Sequence, residues 1–108
     1  MSLPIDFTGK TILVCGVHKG GIGGATCRQL AAAGATIVAL DKDEETVAGI
    51  AADVREMGGT IHTMIADLYD VSACEQVIAR VLDEVGPIDG LANVVGGTTA
   101  QEWLPLDE

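Results

Sequence analysis

Apolar positions along this chain fall into short uninterrupted runs separated by longer stretches with helical spacing. Thr11 to Gly16 reads Thr-Ile-Leu-Val-Cys-Gly, a run of strand length closed by glycine, and Ala35 to Asp41 repeats the pattern with a carboxylate at its end. Thr60 to Ala66, closed by Asp67, predicts a third buried strand, and Ile88 to Val95 contains a fourth with its core at Leu91 to Val95. Between these runs the period changes. Ile22 to Ala33 is rich in Ala and Leu, with Gly34 placed to end a helix and Gly24 small enough for close approach to a sheet. Asp43 is placed to cap a second helix whose apolar positions Val47, Ile50, Ala51, Val54 and Met57 follow the three-and-four spacing of one face, stopped by Gly58-Gly59. Ser72-Ala73-Cys74-Glu75 matches a capping box, and Cys74, Val77, Ile78, Val81, Leu82 and Val85 then form an apolar stripe ended by Gly86-Pro87. A further helix is expected around Ala100 to Leu104.

Strands that alternate with helices at this spacing imply parallel pairing with right-handed crossovers. The expected fold is α/β, a Rossmann-like doubly wound parallel sheet with strand order 3-2-1-4, truncated after about the fourth strand. The whole of 1–108 reads as one domain. Composition agrees. Apolar residues make up 48% of the 108, and aromatics only 3%, which suits helices packed on a parallel sheet. The net charge of −10 repels phosphate backbones and anionic lipid, so neither nucleic acid nor a membrane surface is an expected partner. The three cysteines, Cys15, Cys27 and Cys74, lack metal-site spacing. With no secretory signal pattern at Met1 to Lys10, a reduced, cytoplasmic setting is expected.

Five of the 14 glycines lie between Gly16 and Gly24, at the junction of the first strand and first helix. A dinucleotide pyrophosphate sits at such a junction because the first amides of a helix have no partners inside it. Glycine serves there by allowing a tight turn and by letting phosphate reach bare backbone. Asp41 follows at the end of the second strand, eighteen positions after Gly23. A carboxylate there accepts both ribose hydroxyls of an adenosine and repels a 2′-phosphate, which points to NAD over NADP. Lys19 and Lys42 pull the other way, since a cation beside this site attracts such a phosphate. His18, also in the loop, is a candidate to face a cofactor phosphate, although a lone histidine is more often a loop residue.

These features together resemble the short-chain dehydrogenases/reductases. That family's glycine loop runs Thr-Gly-x-x-x-Gly-Ile-Gly; here Cys15-Gly16 opens it and Gly21-Ile22-Gly23 closes it. Asp67-Leu68 is similar to the family's Asp-Leu after the third strand, and Asn93-Val94-Val95-Gly96 to its Asn-Asn-Ala-Gly. The chain departs from the pattern in three places. Four residues, Val17 to Gly20, separate Gly16 from Gly21 where the family has three, Cys15 stands for threonine, and Asn93 lacks the second asparagine. The resemblance implies hydride transfer between a nicotinamide cofactor and a secondary alcohol or ketone. By it, Gly16, Gly20, Gly21, Ile22 and Gly23 shape the pyrophosphate site, and Asp41 reads the ribose. Asp67 and Leu68 flank adenine, while Asn93 and Gly96 line the nicotinamide side. The family's Ser and Tyr-x-x-x-Lys have no counterpart here. Tyr69 is the only tyrosine and Ala73 stands four positions on, so Tyr69 is expected to border the adenine side.

A P-loop is set aside because Ile22-Gly23 stand where Lys-Ser/Thr is required. A receiver-like flavodoxin fold would leave the glycine loop unexplained. The alternative of a different class is a non-catalytic module that binds a dinucleotide or a protein partner. The preferred reading is the cofactor half of a longer enzyme, inactive alone. In that reading Leu91 to Val95 is an open apolar edge, and such edges recruit another strand. The 108-residue chain is therefore expected to be a homo-oligomer or marginally stable, and a stable, monodisperse monomer by light scattering is the contrary result.

Overall fold

The computed structural model describes residues 5–95. Seven elements follow one another: β1 (Thr11–Cys15), α1 (Ile22–Ala32), β2 (Thr36–Asp41), α2 (Glu44–Glu56), β3 (Thr60–Ile65), α3 (Val71–Glu84) and β4 (Gly90–Asn93). The strands form one parallel sheet in the order β3-β2-β1-β4, as the alternation predicts. β1 is therefore central and its register is set on both sides, Val14 lying opposite Ala39 of β2 and Ala92 of β4. The helix expected around Ala100 to Leu104 lies outside the described residues, as does Gly96.

Side chains alternate across the sheet and sort the core into two layers. Ile12, Val14, Ile37, Ala39 and Ile61 point to one face, where Cys27 and Ala31 of α1 and Val47, Ile50, Ala51 and Val54 of α2 cover them. Leu13, Cys15, Val38, Leu40 and Met64 point to the other, where only Val77 and Val81 of α3 are fully packed. Complete burial of an Ile or Val side chain stabilises a fold by about 1.5–3 kcal/mol. The first layer therefore carries most of the stability, because two helices share it. Burial also pushes the thiol of Cys27 from its usual 9.0 up to about 11, and that of Cys15 upward too, helped by Cys74 nearby. Both are held as neutral, hydrophobic thiols, consistent with free cysteines in a core.

Local chemistry explains where the helices begin and end. Asp43 caps α2 by accepting from the Glu45 amide at 3.2 Å, as expected, and Glu44 and Glu45 place negative charge at the positive end of the helix dipole. Gly34 and Gly58 take positive φ after α1 and α2. Three expectations are corrected. Ser72 is not the cap of α3: the helix starts earlier, and Asp70 caps it by accepting from the Ala73 amide at 3.2 Å. A carboxylate two residues upstream satisfies an orphan amide at the earlier helix start and leaves Ser72 inside the first turn. Met57 leaves the apolar face of α2, because it is the residue at which the helix stops, and it is 45% exposed. The α3 stripe is only half used: Ile78 and Leu82 are exposed, since a single helix covers this side of the sheet. No helix among the described residues is long and apolar enough to cross a membrane. Among the described residues β4 pairs on one side only, and Leu91 is 63% exposed.

The cap assignment is directly checkable. Asp70→Ala should lower stability in urea unfolding by about 1 kcal/mol, whereas Ser72→Ala should change it by less than about 0.5 kcal/mol; the reverse ranking would restore Ser72 as the cap.

Candidate functional site

The carboxyl ends of β1, β2 and β3 open on a cleft of about 490 Å³. Its walls are Gly16, His18, Gly21, Ile22 and Gly23 of the glycine loop and first turn of α1, Asp41 and Lys42 after β2, Ala66 to Tyr69 after β3, and Val94 and Val95 after β4. Ligands of open parallel sheets sit in this position, where the strand order reverses about β1.

The loop is shaped by close contacts that exclude side chains. Gly16 turns at φ +84°, and a Cβ there would lie 3.0 Å from the amide nitrogen of Val95. A Cβ on Gly23 would collide with the carbonyl of Gly16, and one on Gly24 with the carbonyl of His18. Gly24 thus permits close approach of α1 to the loop, not to the sheet as the sequence suggested. Among the loop glycines only Gly16 takes positive φ; Gly23 and Gly24 are required for space, whereas a Cβ on Gly20 or Gly21 would meet nothing closer than the His18 ring at 3.2 Å.

Hydrogen bonds then decide which amides remain for a ligand. The His18 carbonyl accepts from the amides of Gly21 at 2.9 Å and Gly24 at 3.1 Å, and the Gly20 amide donates to the His18 ring at Nδ1, 3.2 Å away. Gly21 caps α1 with no side-chain bond, and no acidic residue occupies its first turn. Among the described residues the amides of Ile22 and Gly23 find no acceptor, and both residues line the cleft. An anion is the natural complement of two such amides at the positive end of a helix.

Asp41 faces them across the cleft. Its Oδ2 accepts from the Val17 amide at 3.1 Å and its Oδ1 from the Asp43 amide at 3.2 Å. Each oxygen keeps further lone-pair capacity, so the carboxylate is oriented without being used up. Val17, absent from the sequence reading, anchors this arrangement: its side chain is fully buried in the α1 layer while its amide holds Asp41. An apolar residue inside a polar glycine loop was the available signal. Asp67 turns back on its own chain, accepting from the Tyr69 amide at 3.0 Å, and Leu68 packs against the α3 layer. Tyr69 lines the cleft beside them.

Other candidates lie apart. Lys19 reaches away to α2, with its Nζ 3.5 Å from Asp53, and neither it nor Gly20 lines the cleft. Asn93 lines an adjoining recess with Cys15, Leu68, Tyr69, Leu91 and Val95. No group of metal-binding side chains occurs among the described residues.

The cleft thus brings a glycine-shaped helix N-terminus together with a strand-end carboxylate at the carboxyl end of a parallel α/β sheet. The family model for short chain dehydrogenase matches residues 10–108, and the chain belongs to that oxidoreductase family. It is 32% identical over 106 residues to the 7alpha-hydroxysteroid dehydrogenase of Bacteroides fragilis, covering 94% of this chain and 40% of that protein. It is 39% identical over 94 residues to the L-xylulose reductase of Caenorhabditis elegans, covering 87% of this chain and 36% of that one. Among solved structures, the citronellol catabolism dehydrogenase (AtuB) of Pseudomonas aeruginosa PAO1 matches with a TM-score of 0.83 at 32% identity, over 94% of this chain and 42% of that one. The chain thus spans less than half the length of these relatives.

The packing at Gly23 makes a sharp prediction. Gly23→Ala should force α1 away from the Gly16 carbonyl and destabilise the protein by about 1–3 kcal/mol, read as a lower thermal midpoint, while Gly58→Ala serves as a control where a Cβ meets nothing within 4 Å and only the φ of +85° resists. An unchanged midpoint for Gly23→Ala would contradict the close approach.

Proposed function

We propose that the chain is the cofactor half-site of an NAD-dependent oxidoreductase that transfers hydride between the nicotinamide and a secondary alcohol or ketone. The observation that carries this reading is the Asp41 carboxylate, held by two backbone amides and facing the unpartnered amides of Ile22 and Gly23 across the cleft. The residues present fit a dinucleotide. Ile22 and Gly23 would hold the pyrophosphate, with Gly16 and Gly21 leaving room for it. Asp41 would accept the adenosine ribose hydroxyls, and Leu68 and Tyr69 would flank the base, with Asp67 behind them. Asn93 and Gly96 are assigned to the nicotinamide side. When bound, the nicotinamide supplies the hydride acceptor or donor. This chain's own residues bind and orient it, and the proton transfer at the carbinol oxygen falls to residues with no counterpart among these 108.

Charge favours NAD over NADP. Two unit charges 4 Å apart interact by about 1 kcal/mol in water and by about 4 kcal/mol at an effective dielectric near 20. Asp41 is half-buried and Lys42 exposed, so the repulsion of a 2′-phosphate by Asp41 is screened less than its attraction by Lys42. Lys19, the other cation considered, is engaged by Asp53. The two named relatives are a hydroxysteroid dehydrogenase and a xylulose reductase, and the family reading extends to substrates of that secondary-alcohol class.

Calorimetric titration with NADH and NADPH tests the proposal. NADH should bind more tightly than NADPH, and Asp41→Ala should weaken NADH about tenfold, the equivalent of about 1.4 kcal/mol. Tighter binding of NADPH would reverse the cofactor assignment, and saturable binding of neither would remove the half-site reading.

A further inference from the structure

The glycine loop carries one residue more than the family pattern, and Lys19 lies within that longer stretch. Lys19 is held from three directions. Its carbonyl accepts from Arg28 Nη1 of α1 at 3.0 Å, its ammonium lies 3.5 Å from Asp53 Oδ1 of α2, and its Cα packs where a Cβ on Gly24 would stand 2.5 Å away. Its aliphatic stem passes over α2 at Gly49, 3.7 Å from where a Cβ would stand. Asp53 closes the arrangement, because its other oxygen lies 3.7 Å from the same Arg28 nitrogen that holds the Lys19 carbonyl. The Asp53 side chain is 27% exposed and lies outside the cleft. One exposed ion pair contributes little, but here two cations converge on one partly buried carboxylate, and one of them also donates to a backbone carbonyl.

We propose that Asp53 is a positioning residue for the glycine loop: through Lys19 and Arg28 it folds the longer stretch outward onto α1 and α2. The amides of Ile22 and Gly23 then stay clear for an anion, and Lys19 is withheld from the cleft. The geometry stands independently of the cofactor; the consequence for NADH rests on the cofactor reading given above. Without Asp53 the Lys19 ammonium loses its partner and Arg28 loses the anion that orients it. The bonds from Gly21 and Gly24 to the His18 carbonyl are then the next to open.

The test uses the 108-residue chain with Asp53→Asn and Asp53→Glu, read by residue-resolved amide hydrogen exchange and by NADH titration. Asp53→Asn should speed exchange at the Gly21 and Gly24 amides about fivefold while Ile37 and Val38 of the sheet keep wild-type rates, and should weaken NADH by about the same factor. Asp53→Glu should restore both. Unchanged exchange at Gly21 and Gly24 would overturn the proposal. Faster exchange throughout the sheet would also overturn it, by assigning Asp53 to general stability. Local exchange with unaltered NADH affinity would remove the positioning role. If the wild-type chain binds no NADH while exchange responds as expected, the cofactor reading fails and the loop latch stands.

Discussion

The backbone of Gly23 lies against the carbonyl of Gly16, where no Cβ fits, and the arrangement of the cleft follows from that contact. It brings the first turn of α1 onto the end of the central strand. There the helix's positive end and the amides of Ile22 and Gly23 face the space above the sheet. Gly24 extends the same close approach to the loop, where its amide and that of Gly21 share the His18 carbonyl. A loop lengthened by one residue keeps this geometry because Val17 is buried at its start and Lys19 is tied to two helices near its end.

Asp41 connects this loop to the rest of the sheet. Parallel pairing of β1 and β2 sets Cys15 opposite Leu40, so the carboxylate one residue further reaches the Val17 amide. A charged group at a strand end commonly meets only water. Here the two backbone donors hold it in one orientation, toward the loop and the cleft. A ligand entering the cleft therefore meets a carboxylate already in place.

The two faces of the sheet are unequally covered, and the difference shapes the rest of the molecule. α1 and α2 seal one layer completely, with Val14, Ile37, Ile50 and Val54 fully buried. On the other layer α3 works alone among the described residues, and Ile78 and Leu82 of α3 and Leu91 of β4 remain exposed. The adjoining recess near Cys15, Asn93 and Leu91 lies on this thinner side.

Local pattern was enough to determine the order of elements and the strand order 3-2-1-4. Runs such as Ile12 to Val14 and Ile37 to Leu40 have no amphipathic alternative, and glycines clustered after the first of them have few physical uses. The cap at Asp43 was legible because carboxylate and helix start are adjacent in sequence. The cap at Asp70 was not, because Ser72 offers an equally good local motif and only the path of the chain leaving β3 selects between them. The sequence listed Lys19 with the cofactor residues because proximity along the chain suggested it. Tertiary packing instead placed its ammonium at Asp53, thirty-four residues away. Val17 as an anchor, Gly24 as a contact to the loop, and the division of the α3 stripe into buried and exposed halves were also decided by tertiary structure. Each depends on which surface another element covers, and that information is carried by contacts between distant segments, not by the periodicity of any one of them.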